Sequence, residues 1–293
     1  MPDPDLPSER VSRTAPLKRV LEAHGLTLKK RWGQHFCLDR NLLEFIVRSA
    51  GVGTEDLVLE IGPGMGHLTQ VLCGSAGRVV AVEIDRGLAR LLRARMEAGE
   101  FPNLDLVEGD ALAAGDRLNP DAEAAVRRHL PLLRGRLRVV ANLPYAVSTT
   151  LILALLESAL PIAGMVVMVQ KEVGERLAAS PGSKAYGLSS VLAQAKADMH
   201  LRRRVPPDVF WPKPGVPSEI VVVTPRADAL GGEGYLRLKE VAKGLFQHRR
   251  KTLRAAARML ERPLELPEGL EPSRRVDGLG LGDLALLAGI RNP

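Results

Sequence analysis

Leu57-Val58-Leu59-Glu60-Ile61-Gly62-Pro63-Gly64-Met65-Gly66 decides the fold of this 293-residue chain. Its first five residues are apolar but for one acid, a run of the length and character of a buried strand. The glycines follow at once, and Leu68, Val71 and Leu72 then fall at helical spacing. The unit is therefore strand, glycine turn, helix. Glycines let the backbone turn tightly and approach a ligand, with the amino terminus of the next helix facing it. The spacing is G-x-G-x-G, whereas dinucleotide sites use G-x-G-x-x-G, which argues against a pyrophosphate cofactor.

Downstream the alternation repeats. A second strand, Arg78 to Glu83, ends in an acid 21 positions after Gly62. A carboxylate there can accept both ribose hydroxyls of an adenosine, the alternative being a solvated strand end. Gly87 to Met96 reads as a helix and Leu104 to Glu108 as a third strand. Asp110 leaves that strand where it could accept a hydrogen bond from an adenine amino group. Ala114 to Arg136 is polar and basic, helical from Asp121 to Leu130, and reads as an insertion. The fourth strand, Leu137 to Ala141, runs into Asn142-Leu143-Pro144-Tyr145, with Ser148 placed to cap the next helix. Ligands of open α/β sheets bind at the carboxyl ends of the strands. The Asn142 side-chain oxygen and the Leu143 carbonyl, held by Pro144, can both accept from an exocyclic NH2, while Tyr145 offers a face to its ring. An ordinary Asn-Pro turn is the plainer alternative.

The flanks carry less. Leu17 to His24 reads as a helix closed by Gly25, Lys29 to Phe36 as a basic and aromatic loop, and Asp39 as the cap of a helix bearing Leu42, Leu43, Ile46 and Val47. After the tetrapeptide, strands are expected at 164–169, 195–203 and 220–224. Helices are expected at 172–179 and from 188. The prolines between Val205 and Pro214 forbid an interior strand, so Phe210 and Trp211 are expected on a stiff loop, with Phe210 stacking a base opposite Tyr145. Beyond Arg226 a Gly231-Gly232 linker leads to helices at 235–246, 249–260 and 283–287. Gln247-His248-Arg249-Arg250-Lys251-Thr252-Leu253-Arg254 then sets cations at a helix start, against the helix dipole, which points to phosphate binding.

Composition narrows the class. With 45% hydrophobic and 26% charged residues the chain is globular, and no apolar run is long enough to cross a bilayer. Residues 1–16 read as a disordered tail; Asp3, Asp5 and Glu9 do not suit a targeting peptide. Two cysteines build no disulfide framework and fit a reducing cytosol. The net charge of +7 is compatible with a polyanionic partner.

Taken together, these motifs resemble the small-subunit ribosomal RNA adenine N6,N6-dimethyltransferases, the kasugamycin-resistance dimethylase family. The likeness runs from about Lys30 through Gly33-Gln34-His35-Phe36, Glu60 to Gly64, Val82-Glu83-Ile84-Asp85, Gly109-Asp110-Ala111 and the Asn142 tetrapeptide. It continues through Gln170 to Val173, Ser183-Lys184-Ala185-Tyr186-Gly187, Val205-Pro206-Pro207 and Gln247 to Arg254. The resemblance implies an α/β, Rossmann-like S-adenosylmethionine-dependent methyltransferase domain over 17–226 and a smaller all-helical, RNA-binding domain over 227–293. It implies donor contacts from Gln34, His35, Cys37, Gly62, Gly64, Glu83, Ile84, Asp110, Ala111 and Asn142. Catalysis falls to Asn142, Leu143, Pro144, Tyr145 and Phe210, and RNA binding to Lys184, Tyr186, Arg249, Arg250, Lys251 and Arg254. The expected substrate is small-subunit RNA in a partly assembled particle, met by a cytoplasmic monomer without membrane or metal. Two departures stand out: Cys37 where the family usually has leucine, and Gly215 where it usually has lysine. A large-subunit methylase of the antibiotic-resistance type and a weakly catalytic assembly factor are the alternatives. A nicotinamide-dependent dehydrogenase is disfavoured by the glycine spacing.

Overall fold

The computed structural model describes residues 17–28 and 34–290. The expected tail and the basic loop residues 29–33 lie outside these. Helix α1 covers residues 17–23. It is followed by β1 (Phe36–Cys37), α2 (Arg40–Ala50), β2 (Leu57–Ile61), α3 (His67–Cys73), β3 (Arg78–Glu83), α4 (Arg86–Glu97) and β4 (Leu104–Glu108). Next come β5 (Leu112–Ala113), β6 (Arg117–Leu118), α5 (Pro120–His129), β7 (Leu137–Asn142), α6 (Ser148–Glu157), β8 (Ile162–Gln170), α7 (Lys171–Leu177) and α8 (Leu188–Gln194). The chain closes with β9 (Ala197–Val205), β10 (Phe210–Trp211), β11 (Ser218–Pro225), α9 (Gly232–Gln247), α10 (Leu253–Arg258) and α11 (Leu281–Leu287).

Seven strands form one sheet in the order β4-β3-β2-β7-β8-β11-β9. The first five run parallel, and β11 lies antiparallel between β8 and β9. Strand residues alternate between two cores. Leu57, Leu59 and Ile61 join one with α5, α6 and α7; Val58 joins the other with α2 and α3. Covering both faces is why the central strands read as unbroken apolar runs. Strand order reverses between β2 and β7, and at such a point the diverging loops leave a crevice.

Several elements depart from expectation. Residues 114–136 are not an accessory insertion: α5 buries Ala122, Ala125 and Val126 in the first core and carries the chain from β4 to β7. Two parallel strands need such a crossover. Ser148 does not cap α6 but is its first residue, and its hydroxyl donates to the Tyr145 carbonyl at 3.2 Å. Asp39 does cap α2, accepting from the Leu42 amide at 3.1 Å. The boundary expected at 226 falls inside a third core, where Tyr186, Val191 and Leu192 pack with Tyr235, Leu238 and Leu284. Glu157 of α6 fastens the same junction, accepting from Tyr235 at 2.9 Å and Lys239 at 2.8 Å.

Tyr186 corrects the expected RNA-binding set. Its side chain is 0% exposed, its ring sits 5.8 Å from that of Phe246, and its hydroxyl donates to the Leu279 carbonyl at 3.0 Å. It joins the two regions and cannot touch RNA. Tyr186→Phe should lower unfolding free energy by about 1 kcal/mol, the worth of one buried hydrogen bond. Chemical denaturation reads that loss, and nucleic-acid affinity should stay unchanged.

Candidate active site

The crevice between β2 and β7 is built first by backbone. Gly62, Gly64 and Gly66 all have positive φ, at 71°, 60° and 85°, a region that side chains disfavour. A Cβ on Gly64 would lie 2.8 Å from the Phe36 ring, so β1 closes directly over the turn. Glu83 holds the turn from below. One of its oxygens accepts from the Gly64 amide at 2.9 Å, the other from the Asp85 amide at 2.8 Å. Burial pushes the Glu83 carboxyl above its ordinary range, while these amides pull it back. Each oxygen keeps a lone pair for a further donor, such as one hydroxyl of a diol. Asp85 caps α4 and also accepts from Gln34 Nε2 at 3.1 Å.

The opposite wall comes from the end of β7. Asn142 Nδ2 donates to the His35 carbonyl at 3.0 Å, which commits the amide nitrogen and leaves the oxygen as an acceptor. The Leu143 amide donates to the Met168 carbonyl, Pro144's carbonyl takes the Val147 amide, and Tyr145's takes Ser148. Among the described residues nothing donates to the Leu143 carbonyl. Two acceptors therefore stand side by side with unused capacity. The Tyr145 ring lies 5.4 Å from that of His35, tilted by 31°, and its hydroxyl meets Ser218 Oγ at 2.6 Å. His35 Nδ1 donates to the Pro212 carbonyl at 2.6 Å. Burial raises the Tyr145 pKa, so the phenol keeps its proton.

One pocket gathers Gln34, His35, Cys37, Gly62, Gly64, Glu83, Ile84, Asn142, Leu143, Pro144 and Tyr145. Cys37 is an apolar wall, its thiol pushed up to about 12 by burial and therefore not a nucleophile. Asp110 and Ala111 are not in that wall. Asp110 is exposed and caps its own turn by accepting from the Leu112 amide, while Ala111 belongs to the first core. Both lie just beyond Glu108, the register partner of Glu83. Phe210 is not displayed either: it pairs with Cys37 across β10 and β1 and is 4% exposed in the second core. Bringing it out to stack a base would forfeit roughly 1.5–3 kcal/mol of burial, so it supports the pocket from behind.

The basic stretch is also rearranged. Arg249 and Arg250 follow the carboxyl end of α9, whose dipole they complement, whereas Lys251 directly precedes Thr252, the N-cap of α10, and Arg254 lies in the first turn of that helix, so the inferred misfit persists there. Arg249 donates to the Lys184 carbonyl at 3.0 Å, which joins two cationic loops. Arg250, Lys251, Arg254 and Lys184 are exposed. The sequence reading missed Glu60, which lines the pocket at 1% exposure, with its Oε2 unpartnered among the described residues. A charge in the middle of Leu57–Ile61 was the available signal. An orphaned buried carboxyl facing a cavity suits a cationic ligand group.

Comparison with known proteins gives the chain a family. Residues 25–283 match the family described as ribosomal RNA adenine dimethylase. The chain belongs to that family. It is 40% identical over 273 residues to the ribosomal RNA small subunit methyltransferase A of Phenylobacterium zucineum, covering 93% of this chain and 91% of the relative. The protein of the same name from Anaeromyxobacter dehalogenans is 40% identical over 282 residues, covering 92% and 95%. Among solved structures, a dimethyladenosine transferase from Plasmodium falciparum superposes with a TM-score of 0.70 at 23% identity, over 88% of this chain and 99% of that one. The 23S rRNA methyltransferase ErmE does so at 0.62 and 23%, over 87% and 98%. These two likenesses establish the methyltransferase fold and do not separate RNA targets.

Burial, with Glu83 nearby, pushes the Glu60 carboxyl from its ordinary 4.5 up to about 8. An acid held above its unfolded pKa binds its proton more tightly when folded, so stability falls as pH rises between the two values. The unliganded protein should lose up to about 1.4 kcal/mol per pH unit across that window. Glu60→Gln should flatten the limb in denaturant titrations at stepped pH; an unchanged slope would place the titration elsewhere.

Proposed function

We propose that the protein transfers methyl groups from S-adenosylmethionine to N6 of two adjacent adenosines near the 3′ end of small-subunit ribosomal RNA, giving N6,N6-dimethyladenosine. The observation that carries this reading is the pair of uncommitted acceptors, Asn142 Oδ1 and the Leu143 carbonyl, at the crevice mouth. The names of the curated relatives favour the small-subunit target over the large-subunit alternative. We place the substrate in a partly assembled particle and the enzyme in the cytoplasm as a monomer.

S-adenosylmethionine, when bound, supplies a methyl group already activated on a sulfonium. With the donor bound, Glu83 would accept from the ribose, Gly62 and Gly64 would let the backbone come close, and Glu60 would lie on the side suited to a cationic group. What the chain must add is alignment. An adenine N6 lone pair is delocalised into the ring and attacks poorly. Asn142 and Leu143, accepting its two N–H groups, draw the nitrogen towards a tetrahedral shape with the lone pair aimed along the crevice. Alignment and charge placement of this kind supply most of the rate without a general base. Tyr145 stacks on the extruded base, its plane held by His35 on one side and Ser218 at its hydroxyl. Lys184, Arg249, Arg250, Lys251 and Arg254 neutralise phosphates further out.

Asn142→Ala should lower kcat on the order of 10²- to 10³-fold while donor affinity changes little; equal losses in both would move Asn142 to donor binding. Ser218→Ala should cost about 3- to 10-fold in kcat/KM for RNA, and almost nothing further in a Tyr145→Phe background. Persistent loss in that background would detach Ser218 from the ring. The target itself is tested with labelled S-adenosylmethionine on unmethylated small and large subunits, followed by nuclease mapping. Label in adjacent adenosines near the 3′ end of the small-subunit RNA supports the proposal. Label only in large-subunit RNA, or none, overturns it.

A further inference from the structure

We infer that the free edge of the sheet is a second RNA contact, in which Arg202, Arg203 and Arg204 of β9 grip the phosphodiester backbone flanking the target. The inference rests on the RNA reading above. β9 is the outermost strand, and among the described residues only β11 pairs with it. All three arginines are exposed. The protein pairs many of its other arginines with acids, as in Arg93–Glu108, Arg128–Asp105, Arg138–Asp56 and Arg226–Asp228. Among the described residues none of these three has an ion pair. Arg203 lies 5.1 Å from the Phe45 ring, and Arg204 stands opposite Glu219 of β11, whose carboxyl pKa its charge lowers against the larger effect of burial.

Their place matters as much as their charge. Val205 pairs with Ser218, whose hydroxyl touches Tyr145, so the arginines begin one residue from the strand end that faces the catalytic crevice. The far end of β9 carries Asp198, paired with Arg226 at 3.7 Å. Positive charge is thus concentrated at the catalytic end. A charge that only shields a strand edge from pairing would serve anywhere along it. The register shift between Ile220 and Val221 leaves Arg202 without a cross-strand partner, while Arg203 opposes Ile220 and Arg204 opposes Glu219. Residues 203 and 204 therefore project to opposite faces and 202 sits at the bulge, which spreads three guanidinium groups around the edge. Each offers a planar fork suited to phosphate oxygens.

The test uses the full-length protein and unmethylated small ribosomal subunits, with affinity followed from 50 to 200 mM salt. Each phosphate contact contributes about 0.7–0.9 to the logarithmic salt slope. The triple variant R202Q/R203Q/R204Q should shallow that slope by about 2 and weaken binding at least 10-fold at the low-salt end. Its affinity for S-adenosylmethionine and its kcat at saturating subunits should stay within about twofold of wild type. Single glutamine variants, each shallowing the slope by about one contact, keep the test open if the triple variant folds poorly. An unchanged slope overturns the inference, and self-association of the variant in sedimentation with that unchanged slope would assign the arginines to edge protection. If wild type binds the subunits without methylating them, the proposed reaction fails while the slope still reads the arginine contact.

Discussion

A buried carboxyl group organises the edge that holds the candidate site. Glu83 ends β3 and spends one oxygen on the glycine turn after β2 and the other on the turn before α4. Two loops from neighbouring strands are thereby fixed by a group that burial alone would drive neutral. The charge is tolerated because backbone amides surround it, as a desolvated carboxylate requires. Removing either amide would leave an unpaired acceptor in a dry site, which costs more than the bond contributes. The crevice therefore keeps its shape through a carboxyl group whose oxygens remain able to receive a ligand.

The other half of the site is a clamp made of distant pieces. β1 and β10 are two residues each and, among the described residues, pair only with one another, joining positions 36–37 to 210–211. That short ladder sets the His35 carbonyl where Asn142 must donate and brings the Pro212 carbonyl to the His35 ring. The Asn142 amide is thus oriented by a covalently remote backbone group. Tyr145 is held in the same way by Ser218, from the one antiparallel strand in the sheet's core. Preorganisation of this kind suits a reaction that needs alignment more than acid or base strength.

Electrostatics outside the crevice follow a different rule. Arg249 and Arg250 extend from the carboxyl end of α9, where the helix dipole favours them, and Arg249 ties their loop to Lys184, while Lys251 and Arg254 stand at the start of α10. The β9 arginines form no ion pair among the described residues, although Arg204 faces Glu219 across the strand pair. A cation that the fold itself balances is at ease without a partner, whereas three adjacent exposed arginines outside any ion pair among the described residues are what the proposed phosphate contact uses.

Much of this was legible in residue order. β2, β3 and β4 run where the sequence places them, because β2 and β3 are buried on both faces and β4, half-buried at the sheet's edge, is bracketed by a turn before it and glycine after it. Gly62, Gly64, Glu83 and Asn142 share one edge because a parallel sheet presents all its strand ends there. Tertiary structure decided the rest. Tyr186 and Phe210 looked like surface aromatics, and only the junction with α9 and the β1–β10 ladder buries them. Asp110 stands off the pocket because its carboxylate turns back onto the Leu112 amide. Local pattern shows which residues leave a strand together. Which side chains then meet depends largely on contacts between parts of the chain far apart in sequence, and those exist only once the sheet and its clamp have closed.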